Sequence, residues 1–200
     1  MALQSAPMER GQTFYSAEVT IDTSDYSDTR VEGFETILKD TNPSDVTQRR
    51  SGKPVHAVVM RNVSGGTLYA GYAVSVKEGY EGKRFEDTYT TACPLAGIID
   101  DHLDSAGVRN GDMCFVVVKG PCNYYTPSAT PTTAIGDLLY AKTDDDGQLT
   151  RHAKAMAFTA TQTTDGTMGS ILKNSIGRAL SSSTADETST SRLMDVNVQV

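Results

Sequence analysis

A chain of 200 residues of which only 38% are hydrophobic holds either one compact domain or a smaller core carrying a long polar arm, and the crowding of apolar residues after Pro54 favours the second. A net charge of −7, with no basic stripe beyond the short patch Arg49, Arg50 and Lys53, argues against nucleic acid as a partner, because phosphate binding needs clustered cations; the patch reads as a solvated linker. Three cysteines, Cys93, Cys114 and Cys122, cannot all pair and match no zinc or redox spacing, so they read as buried free thiols of a protein folded in a reducing cytoplasm.

In chain order, residues 1 to 53 are rich in Ser, Thr, Asp and Gly, with isolated apolar anchors at Phe14, Tyr15, Val19, Ile21, Phe34, Ile37 and Leu38. The stretch has no signal-peptide pattern, and a membrane-length apolar run is found nowhere in the chain, so no membrane partner is expected. Tyr15 to Ile21 alternates as a strand does, and Val31 to Lys39 suits a short helix or a strand. The whole reads as an extended arm whose anchors dock on another subunit or on the arm's own domain, with a disordered tail as the bland alternative.

From Pro54 the pattern changes to closely spaced β candidates. Val55 to Val63 is the first, Ser64-Gly65-Gly66 turns the chain, and Thr67 to Ala70 with Tyr72 to Val76 reads as a hairpin or a bulged pair about Gly71. After a polar excursion over Glu78 to Thr91 comes Leu95 to Ile99, then Asp100 to Asn110 as a loop or single helical turn. Asn110 to Pro121 contains the most apolar run, Cys114 to Val118, which cannot alternate between water and core and therefore predicts a buried central strand bounded by Gly111 and Gly120. Ala134 to Lys142 and Gln148 to Ala153 are expected to pair across a turn at Asp146-Gly147. Ala155 to Ala160, Ile176 to Leu180 and Arg192 to Val200 complete the set, the last with an apolar face of Leu193, Val196, Val198 and Val200. Short strands with turn signals and hardly any helical periodicity predict an all-β fold, a small barrel or sandwich.

The chemistry-bearing residues form no catalytic pattern. His56, His102 and His152 lie apart; Asp100, Asp101, His102 and Asp104 could ligate a divalent ion, but consecutive Asp residues diverge on an extended backbone, and Asp144 to Gly147 reads as an acidic hairpin tip. Gly166 to Ser170 lacks the spacing of a nucleophile elbow. Asn62-Val63-Ser64 is a glycosylation acceptor in form only, without a secretory signal. The chain has no Trp, which weakens a carbohydrate-binding reading, and Tyr124 and Tyr125 read as packing at a strand end or an interface. No catalytic, cofactor-binding or metal residue is assigned, and no enzyme activity is expected.

The order of segments over roughly the last 145 residues resembles the head-decoration, or capsid-cement, proteins of tailed bacteriophages. It runs from Asn62 and Ser64-Gly65-Gly66-Thr67 into Tyr72-Ala73-Val74, then Leu95-Ala96-Gly97-Ile98-Ile99 and Gly111 to Gly120, then Ile135 to Tyr140, Asp146-Gly147 and Ile176 to Leu180. The resemblance implies a β-barrel-like module, often a homotrimer, on the outer surface of the head of the virion, clamping major capsid protein subunits. It implies a cement domain over residues 54 to 200, synthesis in the bacterial host cytoplasm, and no cofactor, beside the arm over residues 1 to 53 read from composition. The long arm and the Glu78 to Thr91 excursion depart from it. The candidate interface residues are Phe14, Tyr15, Val19, Ile21, Phe34, Ile37, Leu38, Tyr124 and Tyr125. A tail, baseplate or fibre component, or a cellular β-barrel enzyme or ligand-binding domain, is the competing expectation.

Overall fold

The computed structural model describes residues 9–14, 32–77, 84–86, 95–125, 134–141, 149–152, 175–181 and 192–197, and among these it is all β. The strands are β1 (Thr13–Phe14), β2 (Glu35–Asn42), β3 (Asp45–Asn62), β4 (Ala73–Val76), β5 (Arg84–Glu86) and β6 (Leu95–Ile99). They continue with β7 (Met113–Tyr124), β8 (Leu138–Ala141), β9 (Leu149–His152), β10 (Ser175–Ala179) and β11 (Arg192–Asn197).

Five of them close a ring. β3 pairs with β5, β5 with β4, β4 with β6, β6 with β7, and β7 returns to β3. Closure leaves these strands without a free edge over the paired stretches. The inward side chains come from all five: Met60 and Val58, Val74 and Val76, Phe85, Ala96 and Ile99, Cys114 and Val116, with Leu68, Leu103 and Val108 added from loops. The outward side chains of the same strands, including Val55, Ala57, Val59, Ile98, Met113, Phe115 and Val117, form a second core with Leu38, Leu139, Ile176, Ala179, Met194 and Val196. From Met113 to Val117, β7 is thus buried on both faces, which is why its sequence there is continuously apolar.

Two irregularities keep each residue on its proper side. Gly97, at φ +151°, lies so close to β7 that a Cβ there would sit 2.3 Å from the Val117 carbonyl oxygen. The pairing slips beside it, so Leu95 and Ile98 share one face while Ala96 and Ile99 share the other. In β7, His56 opposes Lys119 and Ala57 opposes Val117, which leaves Val118 as an extra residue. The phase shifts there, and Cys122 and Tyr124 rejoin the core of Met113, Phe115 and Val117.

Several expectations change. Gly120-Pro121 does not end β7: the strand runs on to Tyr124, because at that point its partner changes from β3 to β11. Thr67 to Ala70 does not pair with Tyr72 to Val76; Leu68 bridges to Val108 instead. Of Val31 to Lys39, Val31 lies outside the described residues, Glu32 to Phe34 form a turn, and β2 runs from Glu35, while Asp100 to Asn110 is a loop of turns. Ala134 to Asp137 is a turn in which Asp137 accepts from the Ala134 amide at 2.8 Å, so β8 begins only at Leu138. Among the described side chains of β11, Val196 is buried as expected and Met194 is buried beside it. β8 and β9 pair as expected, while Asp146-Gly147, Ala155 to Ala160, Val198 and Val200 lie outside the described residues.

The boundary expected at 53/54 falls inside β3, which is continuous from Asp45 to Asn62. Its first half forms a projecting hairpin with β2, solvated on most sides, and that exposure accounts for a composition that reads as an arm.

Candidate functional site

Among the described residues, the largest assembly of charged side chains lies where the hairpin, the β6–β7 loop and the N-terminal segment meet. Asp40 stands on β2 and Arg50 on β3, while Asp100 and Asp101 follow β6. Arg10 enters from the N-terminal segment and donates from Nε to Asp100 Oδ1 at 2.8 Å and from Nη2 to the same oxygen at 2.6 Å. Nη2 also meets Asp101 Oδ1, and Nη1 lies 3.6 Å from Asp40 Oδ1. Arg50 donates to Asp40 Oδ1 at 2.7 and 2.9 Å, to Asp101 Oδ2 at 2.8 Å and to Asn123 Oδ1 at 3.1 Å. The Asn123 amide adds a 2.8 Å bond to Asp101 Oδ2, which ties the cluster to β7.

Both guanidinium groups are pushed above the ordinary arginine range. Burial works against the charge on Arg10, but Asp100 and then Asp101 outweigh it; for Arg50 the opposing carboxylates are Asp101 and Asp40. The facing groups are largely buried, so breaking one side leaves an uncompensated charge. His102 completes it. Its Nε2 lies 3.0 Å from the Thr41 carbonyl oxygen, which can only accept, so Nε2 carries the proton.

This arrangement holds segments together. Asp100 and Asp101, which in sequence offered ligands to a cation, are filled by two arginines of the same chain. Arg50, read as part of a solvated patch, is drawn inward, while Arg49 on the opposite face of the strand is exposed. Strand alternation from Leu38 and Asp40 was the available signal, but Arg10 had none, since its partners lie 90 and 91 positions away.

A smaller clamp closes the barrel. Arg61 and Arg84 are direct partners across the parallel β3–β5 pair, a like-charge juxtaposition that opposes pairing. Glu32, almost fully buried, places one carboxylate oxygen 3.0 Å from Arg61 Nε and the other 2.9 Å from Arg84 Nε. Asn62, the formal glycosylation acceptor, is fully buried, donating to the Gly66 and Val108 carbonyls at 2.9 Å each. Its amide nitrogen is committed to the fold.

The candidate interface residues separate. Ile37 is 66% exposed and Phe34 46%, both on the hairpin edge, and Val46 near the hairpin tip, which the sequence did not single out, is 66% exposed. Leu38 and Tyr124 are instead buried in this chain's own core, and Phe14 packs edge-on against Phe115 at 5.6 Å. Tyr125 stacks on Tyr72 at 5.0 Å, beside Tyr69 and a concavity of about 760 Å³ whose rim includes Pro43 and Asn123. Burial pushes the Tyr72 hydroxyl up. Tyr15, Val19 and Ile21 lie outside the described residues, as does Cys93; Cys114 and Cys122 are buried free thiols, and burial drives both upward.

No family model and no curated protein matches the chain.

Proposed function

We propose that the protein is a structural binding module, a capsid-cement protein that sits on the outer surface of a tailed-phage head and stabilises contacts between major capsid protein subunits. The observation that carries the reading is the β2–β3 hairpin: Ile37 on its domain side and Val46 near its tip are exposed, and the ion pairs of Asp40 and Arg50 between them hold it to the domain. Large apolar side chains held out on a fixed support are what a protein contact requires, since the ordering entropy is already lost before binding. Repetition on a lattice then turns modest contacts per copy into strong retention.

The test is to add purified protein to heads assembled from the major capsid protein of the same genome, with Ile37→Asp/Val46→Asp beside the unaltered chain. Both positions are exposed, so the double variant folds, and its binding is expected to fall at least about tenfold. Equal occupancy of the heads by both proteins in electron micrographs removes the hairpin from the contact, and absence of any binding removes the cement reading itself. Localisation at the tail assigns the chain to the tail, baseplate or fibre.

A further inference from the structure

We propose that the N-terminal segment, Glu9 to Phe14, docks on a second copy of this chain as well as on its own domain, so that neighbouring copies are linked by exchanged arms. The segment fills a built socket. Arg10 meets Asp40, Asp100 and Asp101, whose side chains are 0%, 1% and 3% exposed. The Gly11 amide donates to Asp100 Oδ2 at 2.7 Å. Gly11 itself is required: at φ +81° a Cβ would lie 2.5 Å from the His102 carbonyl oxygen. Thr13 and Phe14 then pair with Cys114 and Met113, and the Phe14 ring meets Phe115. The socket therefore reads a short sequence, Arg-Gly-x-x-Phe, with a charge, a backbone shape and an aromatic ring.

None of these partners is local to the segment. The nearest in sequence, Asp40, is separated from Phe14 by a stretch that includes residues 15–31, which lie outside the described structure. A socket built wholly from the domain makes identical contacts with the same segment of another molecule, and only effective concentration distinguishes the two. A connector of 17 residues reaches up to about 56 Å when extended. One neighbour within about 50 Å corresponds to a local concentration of about 3 mM, the order that tethering through a connector of 17 residues gives the chain's own segment. Copies held side by side thus exchange arms on nearly equal terms, whereas dilute copies dock their own. Exchange would explain how a surface layer is knitted laterally, and to that extent it deepens the cement reading, although its physical basis is independent of any head.

The experiment uses two full-length variants, each defective in one half of the contact. Gly11→Val cannot dock its own arm but keeps the socket; Asp100→Asn keeps the arm but weakens the socket. Sedimentation of each alone at about 0.1 mM should give one species, and an equimolar mixture should give a heterodimer, lost when Arg10→Glu is added to the Asp100→Asn chain. If Asp100→Asn fails to fold by circular dichroism, the free hexapeptide Glu-Arg-Gly-Gln-Thr-Phe replaces it, and binding to folded Gly11→Val below about 1 mM is expected, with at least a tenfold loss when the peptide carries Glu in place of Arg. Absence of both heterodimer and peptide binding overturns the proposal. Because no capsid is present, a failure here leaves the cement reading standing, and a failure to bind heads leaves arm exchange standing.

Discussion

The barrel interior and the charged cluster beside it are both largely buried, yet they hold the chain by opposite means. Inside the ring Met60, Phe85, Ile99 and Val116 meet without direction, and any set of apolar side chains of similar total volume would serve nearly as well. At the cluster Arg10, Arg50, Asp40, Asp100 and Asp101 contribute little net stability for their burial, because desolvation offsets much of the attraction. What they supply is geometry: they fix where the hairpin and the N-terminal segment leave the domain. The difference teaches that stability and placement are handled by separate regions, the first by area and the second by paired charge.

Substitutions should divide along that line. The largest effect is expected from Phe115→Ala, which empties the outer core at a fully buried position and removes the ring against which Phe14 rests; unfolding in urea should show a loss of about 4 kcal/mol with an unchanged slope. Next, Asp100→Ala leaves Arg10 with one fewer buried carboxylate and should cost about 3 kcal/mol. Its signature differs from that of Phe115→Ala: protease cleavage near Arg10 should rise by far more than global unfolding accounts for, because the docked segment is lost first. Equal changes in both measurements would show that the cluster supports the core rather than the segment.

The two regions were unequally legible in sequence. The both-faces-buried strand was readable from Cys114 to Val118, since a β-branched run with turn residues at its ends admits few other readings. Leu95 to Ile99 was found for the same reason, although the role of Gly97 was not, because a bulge is a property of two strands together. The cluster was invisible for the converse reason. Charged residues look solvated until their partners are known, and Arg10 and Asp100 are brought together only by the fold. The polar hairpin was assigned to an arm on composition, which measures exposure and carries no information about pairing.

A pH experiment sharpens the apolar side of the comparison. Cys114 and Cys122 are buried in the two cores, and burial, reinforced by nearby carboxylates, raises both thiols above their ordinary value of 9.0. In the unfolded chain a thiol loses its proton once pH passes that value, while in the folded chain it keeps it. The unfolded state therefore binds fewer protons, and stability that is complete below pH 9.0 declines as pH rises above it. The expected loss is about 1.4 kcal/mol per thiol at pH 10, and Cys114→Ala should remove one thiol's share of the slope. The same slope in wild type and variant would show that Cys114 is not the group responsible.

The smallest effect is expected where an ion pair meets water. Lys53 Nζ lies 2.9 Å from Asp195, joining β3 to β11, at a distance as short as several in the buried cluster. The two side chains are 56% and 38% exposed, however, so water screens the pair and neither charge would be stranded by loss of its partner. Lys53→Ala should shift stability by no more than about 0.5 kcal/mol, and added salt should abolish even that. Distance alone would rank this contact with Arg50 and Asp101; a loss approaching that of Asp100→Ala would mean that proximity, rather than burial, governs the charged contacts of this fold.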